Sequence, residues 1–301
     1  MNSKSYILFL FVIFLKIPFV AAQDIPRGID PKKLDTIVDT MVLLQWWDDY
    51  NQYFIEATLN GSKIRLLLDT ASKSSDLILA GIQKLGLQEK IVNGRNLRDI
   101  DLRIDNIQFV DAPIMEMDAA IVEAGIYGII CPQKFLPHPT AILDLAGGKF
   151  LGIEEDTASL LKKLAKAYPK ARIIEGNITE EGAFASAQFL SSSQETHQFK
   201  VALNTSHRYS SFRHMYMPDL RGLLENKKIR LIGENEKDPV LVQDQQIKFN
   251  DTLFSPDYVR VDYDLETYPP EIGGVIGLDV LRSFVLIMPL NGETFYIMGP
   301  F

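Results

Sequence analysis

The sequence predicts a mainly β protein of two similar lobes joined by a helix, and three observations carry that prediction. The first is a two-residue turn between apolar runs. Tyr53-Phe54-Ile55-Glu56-Ala57-Thr58-Leu59 and Lys63-Ile64-Arg65-Leu66-Leu67-Leu68 flank Asn60-Gly61, and a type I′ turn needs positive φ at both central positions, which Asn and Gly adopt most readily. The second is a helical segment from Asp156 to Tyr168. Leu160, Leu161, Leu164 and Tyr168 fall on one stripe and Pro169 stops it. The third is an internal repeat.

The repeat has two parts in the same order. Asp69-Thr70-Ala71-Ser72-Lys73-Ser74-Ser75 is answered by Asn204-Thr205-Ser206-His207-Arg208-Tyr209-Ser210, each after an apolar run, Leu66 to Leu68 and Val201 to Leu203. Later, Tyr127-Gly128-Ile129-Ile130-Cys131-Pro132-Gln133-Lys134-Phe135-Leu136 is answered by Gly273-Gly274-Val275-Ile276-Gly277-Leu278-Asp279-Val280-Leu281. A strand, a glycine turn (Gly147-Gly148; Asn291-Gly292) and another strand follow each. A single matching motif would mean little, but two with matching flanks predict two folded copies.

Composition bounds the function. The chain of 301 residues is 47% apolar and 23% charged, enough to bury a real core. It carries 31 basic against 39 acidic residues and no dense Lys/Arg run, so it lacks the electrostatic footprint of a nucleic-acid binder. Cys131 is the sole cysteine, which excludes an internal disulfide and a thiolate metal cage. No cofactor motif and no metal site is expected.

The first 22 residues have the layout of a secretory signal. Lys4 is followed by the apolar run Ile7 to Leu15, and Val20-Ala21-Ala22 places small residues for cleavage after Ala22. The stretch from Ile7 to Ala22, broken by Lys16, is shorter than the ~20 apolar residues of a bilayer span. The expected product is secreted or periplasmic, monomeric and free of the membrane. The predicted organisation is a signal over 1–22, a helical strap over 23–51, a first lobe over 52–155, a linker helix over 156–180 and a second lobe over 181–301. Within the strap, Asp30 as N-cap, Pro31 at the first helical position and Leu34, Ile37, Val38 and Met41 on one face predict a helix from Asp30 to Leu44.

An apolar strand ending in Asp69-Thr70-Ala71, with the glycine-containing apolar strand Gly128-Ile129-Ile130 about 60 residues on, resembles the half-barrel unit of retropepsin-type aspartic peptidases. The likeness spans roughly Gln52 to Ile153 and Glu181 to Phe301. It implies two barrel lobes related by a pseudo-twofold axis, with an extended peptide or unfolded protein segment as the partner in the cleft. It also implies that Thr70 and Thr205 bond across the axis, that Ser75 and Ser210 support the dyad loops, and that Ala71 and Ser206 stand at the usual glycine. No segment between Ala71 and Gly125 carries the family's glycine-rich flap.

The chemistry of that family needs two carboxylates too close to ionise together, one acting as base on a bound water and the other polarising the scissile carbonyl. Only one is present. Asp69 fills the first position, and the matching position is Asn204, whose amide can imitate the shape of a carboxylic acid but cannot shuttle a proton. The expected molecule is therefore an aspartic peptidase homologue with a broken dyad and weak or absent hydrolysis. The alternatives are an active endopeptidase using Asp69, for instance by pairing the first lobes of two chains, and a secreted non-catalytic β binding protein in which Asp69 and Asn204 lie far apart. Asn204-Thr205-Ser206 also matches a glycosylation sequon, as do segments at Asn60, Asn177 and Asn250. Burial in the fold would exclude glycan at Asn204.

Overall fold

The computed structural model describes residues 28–47, 52–179, 182–189, 198–216, 229–231, 240–242, 246–249, 252–254, 259–262, 268–290 and 292–299. The expected signal over 1–22 lies outside them. Among the described residues, no helix is long and apolar enough to cross a membrane.

The protein is mainly β and two-lobed. The Gln52–Leu59 and Ser62–Leu68 strands pair from Leu59↔Ser62 to Phe54↔Leu67, and the turn between them has Asn60 at φ 48° and Gly61 at φ 82°. Both values lie in the left-handed region that the Asn-Gly dipeptide tolerates. The helix forms over Thr157–Ala167. Asp156 caps it by accepting from Ser159 N–H at 3.0 Å, and Leu160 and Leu164 are fully buried.

A sheet run common to both halves lies across that helix. Its order is Val38–Leu43, Lys149–Ile153, Thr140–Asp144, Val285–Pro289, Thr294–Gly299, Arg172–Thr179, three strands from each half. The halves meet in the middle, where Thr140–Asp144 and Val285–Pro289 run antiparallel with Ile142 opposite Ile287. Ile142, Leu151, Ile153, Val285, Ile287 and Met298 form one apolar cluster with Leu160 and Leu164 of the helix. Burial of this shared apolar layer ties the halves together.

Two expectations about the connecting segments are corrected. The helix from Asp30 to Leu44 is absent: only Pro31–Lys33 forms a 3-10 turn, Asp35 has φ 46°, and Val38–Leu43 is a strand. Apolar residues there fit either period, but Thr40 and Val42 are buried while Ile37 and Met41 are exposed, which is the alternation of a strand. The β-branched Val38, Thr40 and Val42 favour that outcome once Lys149–Ile153 offers an edge. The 156–180 linker is likewise more than a helix, because Arg172–Thr179 pairs with Thr294–Gly299. Val38–Leu43 and Arg172–Thr179 are each the third strand out from the meeting of the halves, although Arg172–Thr179 continues the sheet by pairing with Gly182–Phe189, so the duplication extends beyond the segments in which sequence motifs repeat.

The Trp46-Trp47 pair lies in a short strand, Gln45–Trp47, paired to Gln52–Leu59. Trp47 packs edge-on to Phe54 with the Arg65 guanidinium 5.4 Å from its ring.

Candidate functional site

Two loops of equal construction meet where the lobes face each other. In the first lobe, Ser62–Leu68 runs parallel to Ile126–Ile130 with Leu66 opposite Gly128 and Leu68 opposite Ile130. In the second, Gln198–Leu203 runs parallel to Ile272–Ile276 with Val201 opposite Gly274 and Leu203 opposite Ile276. Both glycines are required by close approach: a Cβ at Gly128 would lie 2.7 Å from the Asp76 carbonyl oxygen, and one at Gly274 would lie 2.3 Å from Phe212 and 2.9 Å from the Ser211 carbonyl oxygen.

The chain leaves each strand in the same way. Asp69 N–H donates to Ile130 O and Asn204 N–H to Ile276 O, both at 3.0 Å. Ala71 N–H donates to Asp69 Oδ1 at 2.8 Å, and Ser206 N–H to Asn204 Oδ1 at 2.7 Å. An Asx turn therefore closes each loop. Ser75 Oγ accepts from Cys131 N–H at 2.9 Å, and Ser210 Oγ from Gly277 N–H at 3.0 Å. The serines thus tie each loop to the chain just beyond its glycine-containing strand.

Between the loops runs a reciprocal lock. Thr70 Oγ1 donates to Leu203 O at 2.8 Å and accepts from Thr205 N–H at 3.1 Å. Thr205 Oγ1 donates to Leu68 O at 3.0 Å and accepts from Thr70 N–H at 3.1 Å. Both threonines are fully buried, so each of these four bonds satisfies a group that water cannot reach. The structure brings Asp69, Thr70, Ala71 and Ser75 together with Asn204, Thr205, Ser206 and Ser210 in one site.

The electrostatics of the two loops differ. Burial raises the Asp69 pKa, while the Ala71 and Ser72 N–H groups, the Ser206 hydroxyl and nearby His207 pull it back. Among the described residues no acidic neighbour is a leading cause of the rise, in contrast to the like-charge repulsion that splits a carboxylate pair. Asn204 is buried and its carboxamide is engaged on both sides: Oδ1 accepts from Ser206 N–H at 2.7 Å and Ser206 Oγ–H at 2.6 Å, and Nδ2 donates to the Tyr268 hydroxyl at 2.8 Å. That burial leaves no room for a glycan at its sequon.

Several residues at the site carry no motif signal. Tyr268 has its phenol pushed up to about 12, mainly by burial and partly by the Asp69 charge. The Arg213 guanidinium holds the segment by donating to the carbonyls of Tyr268 (2.8 Å), Pro269 (3.2 Å) and Ile272 (2.8 Å). Gln52 Nε2 reaches from the first lobe to Ser206 O at 2.6 Å. Ala71, Lys73, Asn204, Ser206, His207 and Tyr268 line an open cavity of about 480 Å³. Gln133 and Asp279 could have been found, since they hold the same place in the repeat. Gln133 Nε2 donates to Thr70 O at 2.7 Å, and Asp279 Oδ1 accepts from Ser210 N–H and Oγ–H at 2.9 and 2.8 Å. Cys131 is buried, with its thiol pushed up to about 11 by burial, as befits a packing residue.

No family model and no curated protein matches the sequence. Solved structures do match, 405 chains in all. One of them, the crystal structure of aspartic proteinase from Irpex lacteus, superposes with a TM-score of 0.52 at 10% sequence identity, covering 86% of this chain and 96% of that one. The chain has the two-lobed fold of an aspartic proteinase. At that identity the likeness concerns fold, and the residues at the loops must speak for the chemistry.

Proposed function

We propose that this is an exported aspartic peptidase homologue of retropepsin type, whose interlobe cleft holds an extended peptide by strand-like pairing and in which the water-activating dyad is broken at Asn204. The observation that carries the reading is the paired loop geometry, in which Asn204 takes the same backbone and Asx-turn bonds as Asp69. With its carbonyl oxygen accepting two hydrogen bonds from Ser206, the carboxamide can neither take nor release a proton in place of an acid. The Thr70–Thr205 lock is formed within one chain, and pairing the first lobes of two chains would have to break it. This favours the single-chain reading over a composite dyad of two Asp69 residues.

The test is cleavage of a denatured protein across pH 3 to 7 beside binding of a labelled extended peptide. The native chain is expected to bind without Asp69-dependent turnover. Asn204→Asp, and more fully Asn204→Asp with Ser206→Gly, is expected to gain acid-optimum proteolysis by about 10²- to 10⁴-fold, the usual contribution of general acid–base catalysis. Robust turnover by the native chain, abolished by Asp69→Asn, would overturn the reading. Export is tested by amino-terminal sequencing of the secreted product, with Gln23 the expected first residue.

A further inference from the structure

Two hydroxyls of the cleft, Ser206 and Tyr268, flank the Asn204 carboxamide. Ser206 Oγ donates to Asn204 Oδ1 at 2.6 Å and lies within hydrogen-bonding reach of the Asp69 carboxylate. One hydroxyl therefore bonds the amide and favours the charged form of the acid. It is half-buried on the cavity wall, whereas Thr70, Thr205 and Ser210 are fully buried. The first lobe has Ala71 at this place, so the hydroxyl is not part of what the two loops need to fold. Tyr268 accepts from Asn204 Nδ2, which leaves its own phenolic proton to be donated to another acceptor.

We propose that Ser206 is a nucleophile served by Asp69 as general base, and that the cleft hydrolyses carboxylic esters through a covalent serine ester. Turning the Ser206 hydroxyl from Asn204 Oδ1 to the Asp69 carboxylate readies it for attack. As the Oγ–carbon bond forms, the Oγ proton passes to Asp69 and the carbonyl oxygen becomes an oxyanion that accepts the Tyr268 proton as a hydrogen bond. The oxyanion collapses, the bond to the alkoxide breaks, and Asp69 returns its proton to the departing alcohol. Water then attacks the serine ester and loses a proton to Asp69, which hands it to Ser206 Oγ as the acid is released. One titratable carboxylate suffices for every transfer, which is what the site holds. Burial raises the proton affinity of Asp69 and brings it closer to what a base needs. The reaction needs no peptide bound in the cleft, so it stands apart from the reading above.

The intact protein treated with a small alkyl fluorophosphonate is expected to gain one adduct, Oγ–phosphorus bond formed and fluoride released, mapping to Ser206 by peptide mass. Ser206→Ala copies the Ala71 loop and is expected to melt like the native chain yet take no label. Asp69→Asn, which copies Asn204, is expected to slow labelling at least ~100-fold, and Tyr268→Phe to slow p-nitrophenyl acetate hydrolysis by a similar factor. Absence of an adduct, an adduct at another residue, or labelling indifferent to Asp69→Asn would overturn the proposal. Loss of peptide binding with labelling intact would count against the peptide-holding reading alone.

Discussion

The first-lobe loop at Asp69 and the second-lobe loop at Asn204 share a backbone and differ in where the charge lies. In the first lobe the acid is at the cleft and the residue behind the loop is neutral, Gln133, which bonds the Thr70 carbonyl. In the second lobe the cleft residue is an amide and the acid lies behind it, Asp279, whose Oδ2 is buried without a hydrogen-bond partner among the described residues. The residue after the glycine-containing strand differs as well, Cys131 against Gly277. Hydrogen bonds to backbone groups hold the two loops in register, while the cleft side chains vary on top of that frame.

The largest stability effect is expected where the lobes differ in space. A Cβ at Gly277 would meet the carbonyl oxygens of His207 and Tyr209 at 2.8 Å, and backbone cannot swing aside. Gly277→Ala is expected to cost about 3 kcal/mol in urea unfolding. Cys131→Ala, at the matching position, is expected to cost nearer 1 kcal/mol, since it loses the weak bond from Sγ to Gln133 Oε1 at 3.0 Å and some packing. Equal costs would show that the two positions are equally confined.

Next in size is the threonine lock. Thr70→Val and Thr205→Val each strip one carbonyl and one N–H of buried partners, at about 2 kcal/mol apiece, and the symmetry predicts that the two values agree. A large disagreement in unfolding midpoints would show that one lobe depends on the lock more than the other.

The smallest effect concerns pH. Burial raises the pKa of Asp69, Asp144 and Asp279 from an ordinary value of 3.8. Asp144 is buried and accepts from the N–H groups of Ile29 and Gly147, each at 2.7 Å. A carboxyl that holds its proton more tightly when folded makes its full contribution to stability below the unfolded value. It loses that contribution as pH rises through the folded value. Stability should therefore decline from about pH 4 upward, and Asp279→Asn should flatten the decline in a series of urea midpoints. Half-buried Glu155 and exposed Asp156 are shifted down and act the opposite way.

Much of this molecule was legible in one dimension. Asn60-Gly61 announced its hairpin because φ preference is local, and Asp156, Leu160, Leu164 and Pro169 announced their helix because cap, stripe and stop are local too. The Asp69 and Asn204 motifs announced the repeat. The segment Val38–Leu43 carries an apolar spacing that suits both helix and strand, and only the waiting edge of Lys149–Ile153 chooses between them. Tyr268 and Gln52 were invisible, since a lone tyrosine or glutamine carries no sign of what it will face far along the chain.

Sequence alone settled that one acid and one amide would hold equivalent places, because that follows from identity and order along the chain. Tertiary structure decided that Tyr268 would engage the amide, that Gln52 would reach across to the second loop, and that an acid would be buried behind that loop. Those outcomes depend on which surfaces two packed lobes bring together, and no short-range preference encodes them.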